Sequence, residues 1–229
     1  MGEIVEFPSN GSTGEGYLAV PESGHGAGVI VIQEYWGLVP HIKDVADRFA
    51  AQGFVALAPD LFRGATASEP DEAGKLMMTL NLDQAAKDMG GAVDYLLSLD
   101  SVHSTGVGVI GFCMGGGLAL MLATQKAEEV EAVAPFYGVI PWGDAAQPDY
   151  TKLQAIVRGH FAANDGFFTP DKAKALELHL RELGKDVEFT IHDDTDHAFF
   201  NDTRPEVYNE EHSNEAWDAT IAFFREHIR

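Results

Sequence analysis

The 229-residue sequence predicts an α/β fold, a mostly parallel central sheet with helices on both faces. Three observations carry this. Short apolar runs rich in β-branched residues alternate with longer amphipathic stretches, the order that builds strand–helix–strand units. "VIVIQ" at 29–33 and "VGVIG" at 107–111 are apolar throughout, as strands covered on both faces are. No repeat, low-complexity tract or linker breaks the chain, so residues 1–229 read as a single domain.

Two β-like stretches, Ile4–Pro8 and Gly16–Val20, open the chain, and Val29–Gln33 is the first fully apolar strand. An amphipathic helix over His41–Gln52 leads to the strand Phe54–Pro59. A helical pattern spans Leu82–Leu99, then the strand Val107–Gly111, a helix from Met114 and a strand at Ala132–Tyr137. Ala155–Phe161 is again strand-like and Pro170–Leu183 helical; the last strand is Val187–His192, and a helix over Asn214–His227 closes the chain. In such sheets reactive groups sit on loops just after strands, at their carboxyl ends.

The formal charge of −21, from 36 acidic and 15 basic residues, disfavours phosphate backbones and anionic membrane surfaces as partners. An anionic substrate would need a local basic group to approach. A single cysteine excludes an internal disulfide and an all-thiolate zinc site. The first residues carry no basic-then-apolar leader pattern and no apolar run is long enough to span a bilayer, which sets a cytoplasmic expectation. Oligomeric state is not legible.

The cysteine lies in "GVGVIGFCMGGGLAL", residues 106–120, which parses in two ways. Gly106, Gly108 and Gly111 satisfy the G-x-G-x-x-G of a dinucleotide turn, but those glycines must follow the strand. Here they fall before or within it, and "SVHSTG" at 101–106 is too polar to be the preceding strand, so no cofactor is expected. Gly111, Cys113 and Gly115 satisfy G-x-C-x-G, a sharp strand-to-helix turn that presents a nucleophile and keeps its neighbours small. That turn places the sulfur at a helix N-terminus, which favours thiolate. Cys113 also reads as a small buried hydrophobe, as most free cysteines are; the glycine frame favours the nucleophile.

A nucleophile needs a base and the base an orienting group. Of nine histidines, His41, His179, His212 and His227 lie in or beside helical patterns, His25 and His103 precede strands, and His160 and His192 lie within or at the ends of strand-like runs. His197, in "HDDTDHAFF" after the last strand, is the best-placed base. Asp60 and Asp165 follow strands, and Asp165 in "ANDGFF" precedes the histidine. Asp165 also suits a plain turn. The order Cys113, Asp165, His197 is the nucleophile–acid–histidine order of α/β-hydrolases. "HDDTDH" read as a metal cluster matches no ligand spacing of known type, so no metal is expected.

"VIVIQEYWGLVPHIKDVADRFAAQGFVALAPDLF", "GFCMGGG", "ANDGFFTP" and "HAFF" together resemble the dienelactone hydrolase (carboxymethylenebutenolidase) family, from about residue 14 to the C-terminus. The resemblance implies Cys113 as nucleophile, Asp165 as acid, His197 as base, and Glu34 as a carboxylate that contacts and helps activate the thiol. It implies an oxyanion hole from the N–H groups of Met114 and Tyr35, a thioester intermediate and a small ester or lactone as substrate. Taken as a bare sequence feature, Glu34 equally suits a structural ion pair. Family members hold an anionic substrate with two arginines; Arg63 lies near one of those places, while Asn201 or a neighbour holds the other, with Arg204 further on. Tyr35, Trp36, Tyr137, Phe167, Phe168, Phe199 and Phe200 suit an aromatic pocket or core packing. A neutral or aromatic ester is the resulting expectation. A non-catalytic binding protein on the same scaffold is the alternative.

Overall fold

A computed structural model describes residues 2–143 and 147–229. The strands are β1 (Glu3–Ser9), β2 (Ser12–Ala19), β3 (Gly26–Ile32), β4 (Val55–Pro59), β5 (Val102–Phe112), β6 (Val130–Phe136), β7 (Ile156–Ala162) and β8 (Val187–His192). The helices are α1 (Pro40–Ala51), α2 (Pro70–Thr79), α3 (Leu82–Ser98), α4 (Met114–Gln125), α5 (Pro170–Glu182) and α6 (Glu210–His227). One eight-stranded sheet runs β1-β2-β4-β3-β5-β6-β7-β8. The β1–β2 and β2–β4 pairs are antiparallel, and every pair from β4–β3 to β7–β8 is parallel. The expected α/β architecture is therefore present, with an antiparallel hairpin at one edge.

The apolar runs behave as their composition requires. Val29 to Ile32 have no solvent exposure, nor do Val109, Ile110 and Phe112 on the neighbouring β5. Each such side chain contributes roughly 1.5–3 kcal/mol through removal from water. Helix α4 is buried from Met114 to Thr124, which explains why its sequence shows no polar face.

Three elements differ from the sequence reading. Strand β5 begins at Val102, so the polar "SVHSTG" is strand after all: its first half alternates exposed and partly buried positions before running into the core. Gly106 and Gly108 thus lie inside a strand, and the dinucleotide turn remains excluded by register. Gly108 has a packing reason instead, since a Cβ there would come within 2.6 Å of Ile228 in the chain's last residues. Helix α2 was not anticipated; Pro70 at its first turn and the acids Asp71 and Glu72 are its start signals, but only Ala73 is fully buried. Helix α6 starts at Glu210 rather than Asn214, because the Asn209 side chain caps it by accepting from the His212 N–H at 3.1 Å.

Candidate active site

The carboxyl ends of β3, β5, β7 and β8 converge on one edge of the sheet. Strand β5 ends at Phe112, α4 starts at Met114, and Cys113 alone makes the turn, with φ 55° and ψ −124°. A non-glycine residue held there carries roughly 1–3 kcal/mol of strain. Its N–H is fixed by the Phe136 carbonyl at 3.1 Å and its carbonyl by the Gly116 N–H at 3.0 Å. The flanking glycines are sterically required: a Cβ on Gly111 would fall 2.0 Å from the Gly115 carbonyl oxygen, and one on Gly115 would fall 2.5 Å from that of Gln33. Gly116 and Gly117 admit the 138–140 segment after β6.

Asp165 follows β7 and His197 follows β8. Asp165 is 4% exposed, and its two oxygens are used differently. Oδ1 accepts from the N–H groups of Phe167 (2.7 Å) and Phe168 (2.9 Å), while Oδ2 lies 2.7 Å from His197 Nδ1. The turn-former and orienting readings of Asp165 therefore describe two oxygens of one carboxylate. Burial opposes ionisation of Asp165, but His197 and the two N–H groups outweigh it and hold the carboxyl below its ordinary range. Cys113 and His197 line the same cavity, and the thiol acts electrostatically on the imidazole. Burial works against charging His197, yet its bond to Asp165 and the negative charges of Cys113 and Asp165 push it up to about 10.

Glu34, just past β3, is 1% exposed. Its Oε2 accepts from Asn201 Nδ2 at 2.9 Å, and the Tyr137 hydroxyl lies 3.5 Å from Oε1. A buried carboxylate thus rests on a neutral amide at the position where the resemblance led to an arginine. Arg204 stacks instead over the Trp36 ring, 5.7 Å from its centroid, and pairs with Glu206 at 2.9 Å.

Cys113 and His197 open onto one cavity of about 490 Å³. Its walls are apolar, from Tyr35, Met77, the 139–142 segment with Trp142, and Phe168. Phe167, 72% exposed, stands at its mouth, and Lys172 is the one lysine or arginine among the lining residues. Lys172 Nζ donates to the Phe167 carbonyl at 2.9 Å. A larger groove, about 690 Å³, crosses Pro8, Lys87, Gly91 and Lys126 but holds neither cysteine nor histidine.

Four expected substrate contacts do not reach this cavity. Arg63 bonds both oxygens of the buried Asp88 at 2.9 and 3.0 Å, an ion pair that holds it against α3. Trp36 lines a separate crevice of about 250 Å³ with Asn201 and Arg204. Tyr137 and Phe199 have no exposure; they pack edge-to-face at 5.5 Å, with Tyr137 against the His197 ring at 5.3 Å, so they support the imidazole from behind. Sequence reasoning missed Met77, Trp142 and Lys172. Met77 belongs to the unanticipated α2, whose Met77 carbonyl accepts from Trp142 Nε1 at 3.3 Å. Lys172 was signalled only by its place in the first turn after "FFTP".

A parallel sheet with a strained strand-to-helix turn, and an acid and a histidine delivered by later strands, defines an α/β hydrolase. The model of the dienelactone hydrolase family matches residues 15–228. The chain belongs to the dienelactone hydrolase family. Among its relatives, "Protein usf" of Aquifex pyrophilus is 37% identical, and a "Putative carboxymethylenebutenolidase" of Aquifex aeolicus strain VF5 is 33% identical; both alignments cover 100% of each chain. The crystal structure of a "Putative Dienelactone Hydrolase" from Klebsiella pneumoniae subsp. pneumoniae MGH 78578 superposes with a TM-score of 0.89 at 25% identity, covering 98% of both chains. No helix among the described residues is long and apolar enough to cross a membrane.

Proposed function

We propose that the chain is a cysteine-dependent ester or lactone hydrolase acting through a thioester. One observation carries this: His197 is bonded through Nδ1 to the buried Asp165 and shares one cavity with Cys113, whose thiol acts electrostatically on the imidazole. The Cys113 thiolate attacks the carbonyl carbon, forming the C–S bond and moving the C=O electron pair onto oxygen. The N–H groups of Met114, first in α4, and Tyr35 receive that oxyanion. Collapse expels the alkoxide or enolate, which takes the proton of the His197 imidazolium. The neutral imidazole then removes a proton from water, hydroxide attacks the thioester, and the acid departs as the thiolate re-forms. Each hole donor is worth roughly 10²–10³ in rate. Glu34, held by Asn201 and next to the Tyr137 hydroxyl, is the carboxylate assigned to the thiol-activating step. A pool with apolar walls and one rim cation suits a neutral or aromatic activated ester, and a lone reduced thiol suits the cytoplasm.

The test is hydrolysis of p-nitrophenyl acetate and cis-dienelactone by the wild type, Cys113→Ala and His197→Ala, with mass spectrometry of the acid-quenched wild type. We expect a loss of about 10³-fold or more in each variant, and an acyl adduct on the peptide holding Cys113. Equal activity in all three proteins rejects the triad. Absence of turnover by the wild type favours a binding protein.

A further inference from the structure

His192, the last residue of β8, is 5% exposed, and its two ring nitrogens face different neighbours. Nε2 lies 3.1 Å from Nδ1 of the equally buried His160, whose own Nε2 lies 3.5 Å from Thr220 Oγ1. Thr220 has one hydroxyl proton, and it is donated to the Ala216 carbonyl at 2.8 Å. Thr220 therefore accepts from the His160 Nε2–H. A neutral His160 then has a bare Nδ1, so His192 donates its Nε2–H there. This chain of donors leaves Nδ1 of His192 as a lone pair, and Nδ1 lies 4.0 Å from Glu215 Oε2. The same carboxylate oxygen is 2.9 Å from His212 Nδ1. One ligand atom from each of His192, His212 and Glu215 falls within 4.8 Å of the others.

We propose that His192, His212 and Glu215 form a binding site for a divalent first-row transition cation, with zinc the best match. Zinc bonds nitrogen and carboxylate oxygen at about 2.0–2.2 Å, so tetrahedral ligand atoms stand roughly 3.3 Å apart; the distances of 2.9 and 4.0 Å lie on either side of that separation. The ion takes the place of the proton now shared by His212 Nδ1 and Glu215 Oε2. Two imidazoles with a carboxylate favour zinc, nickel or copper over magnesium or calcium. His160 and Thr220 supply the outer hydrogen bonds that fix the ring of a metal-binding histidine. Glu215, with its side chain 57% exposed, leaves further positions to water. The early start of α6 makes the site, since it sets His212 and Glu215 one turn apart on the same face. His192 and His212 also bracket the loop that carries His197, so the ion ties together both ends of that loop.

The test is independent of esterase activity. Full-length protein carrying Cys113→Ser, which removes the competing thiol, is stripped with EDTA and titrated with zinc chloride by calorimetry. His212→Ala and Glu215→Gln are titrated in the same background, with melting temperatures taken without metal to establish folding. We expect one zinc per chain in the parent, an affinity at least roughly tenfold weaker in each variant, and a zinc-dependent rise in melting temperature in the parent alone. No saturable binding by the parent, or unchanged affinity in both variants, overturns the proposal.

Discussion

His197 and His192 stand on either side of one short turn after β8, yet their surroundings act on them in opposite directions. Both are largely buried, and burial alone lowers the pKa of an imidazole. His192 is lowered, and its partner His160 falls to about 3, with burial the main cause and the neighbouring histidine adding to it. His197 rises to about 10. The difference is the partner. His192 meets the buried His160 imidazole at 3.1 Å and has the Glu215 carboxylate only at 4.0 Å, whereas His197 meets a buried carboxylate at 2.7 Å and faces a thiol. Within a few residues the fold favours the charged form of one histidine and the neutral form of another. A carboxylate within hydrogen-bond reach, not the depth of burial, sets the sign.

Asp165→Asn is the sharpest way to break this contrast. Asparagine keeps an oxygen for the Phe167 and Phe168 N–H groups, so the turn survives, while the charge facing His197 is lost. We expect kcat to fall about 10²–10⁴-fold and the His197 resonances in an NMR titration to move down from about 10. Should His197 still titrate near its wild-type value, Cys113 rather than Asp165 is what holds the charge.

Much of this contrast was legible in the sequence, but unevenly. The apolar strands and the G-x-C-x-G frame are local signals, so the elbow and its register could be read directly; Asp165 and His197 were found because reactive groups follow strands. Arg63, Trp36, Tyr137 and Phe199 read as substrate contacts because their residue types fit a pocket, but packing places them outside the cavity of Cys113 and His197. Arg63 is drawn to Asp88, which only the fold brings near. Asn201 shows the same limit in reverse: the resemblance marked it only as standing in an arginine's place, while the fold gives it the buried Glu34 to hold. The His192–His212–Glu215 cluster was obscured by placing the start of α6 four positions late, since no helical spacing then linked the last two.

Glu34→Gln tests whether that buried acid serves the thiol or only its hydrogen-bond partners. Glutamine retains an acceptor for Asn201 but no charge, so we expect kcat to drop roughly tenfold with a stability loss of about 1–2 kcal/mol, the scale of one charge-assisted bond. A stability loss with kcat unchanged would assign Glu34 to Asn201 and Tyr137 alone. A subtler effect is the pH dependence of stability. The folded state raises His197 from 6.5 to about 10, so its charged contacts contribute fully below pH 6.5 and are lost as pH rises through 10. The melting-temperature gap between wild type and His197→Gln should therefore be widest below pH 6.5 and shrink towards pH 10. A gap that widens instead would mean that His197 folds neutral, like His160.

Lys172 carries the smallest expected effect and the one that bears on substrate charge. It is exposed, at the start of α5, and its ammonium is tied to the Phe167 carbonyl at the cavity mouth. An exposed charge pair is worth at most about 1 kcal/mol, or roughly fivefold, and salt screens it. Lys172→Met should accordingly leave kcat/KM for p-nitrophenyl acetate within about twofold, and lower it up to about fivefold for an aryl ester bearing a carboxylate, the loss fading as salt is added. Equal losses on both esters would mean that Lys172 shapes the mouth by holding Phe167 in place. In that case the mouth contributes shape rather than charge to the choice of substrate, and in a protein with a net charge of −21 an anionic ester meets no lysine or arginine at the cavity that favours it.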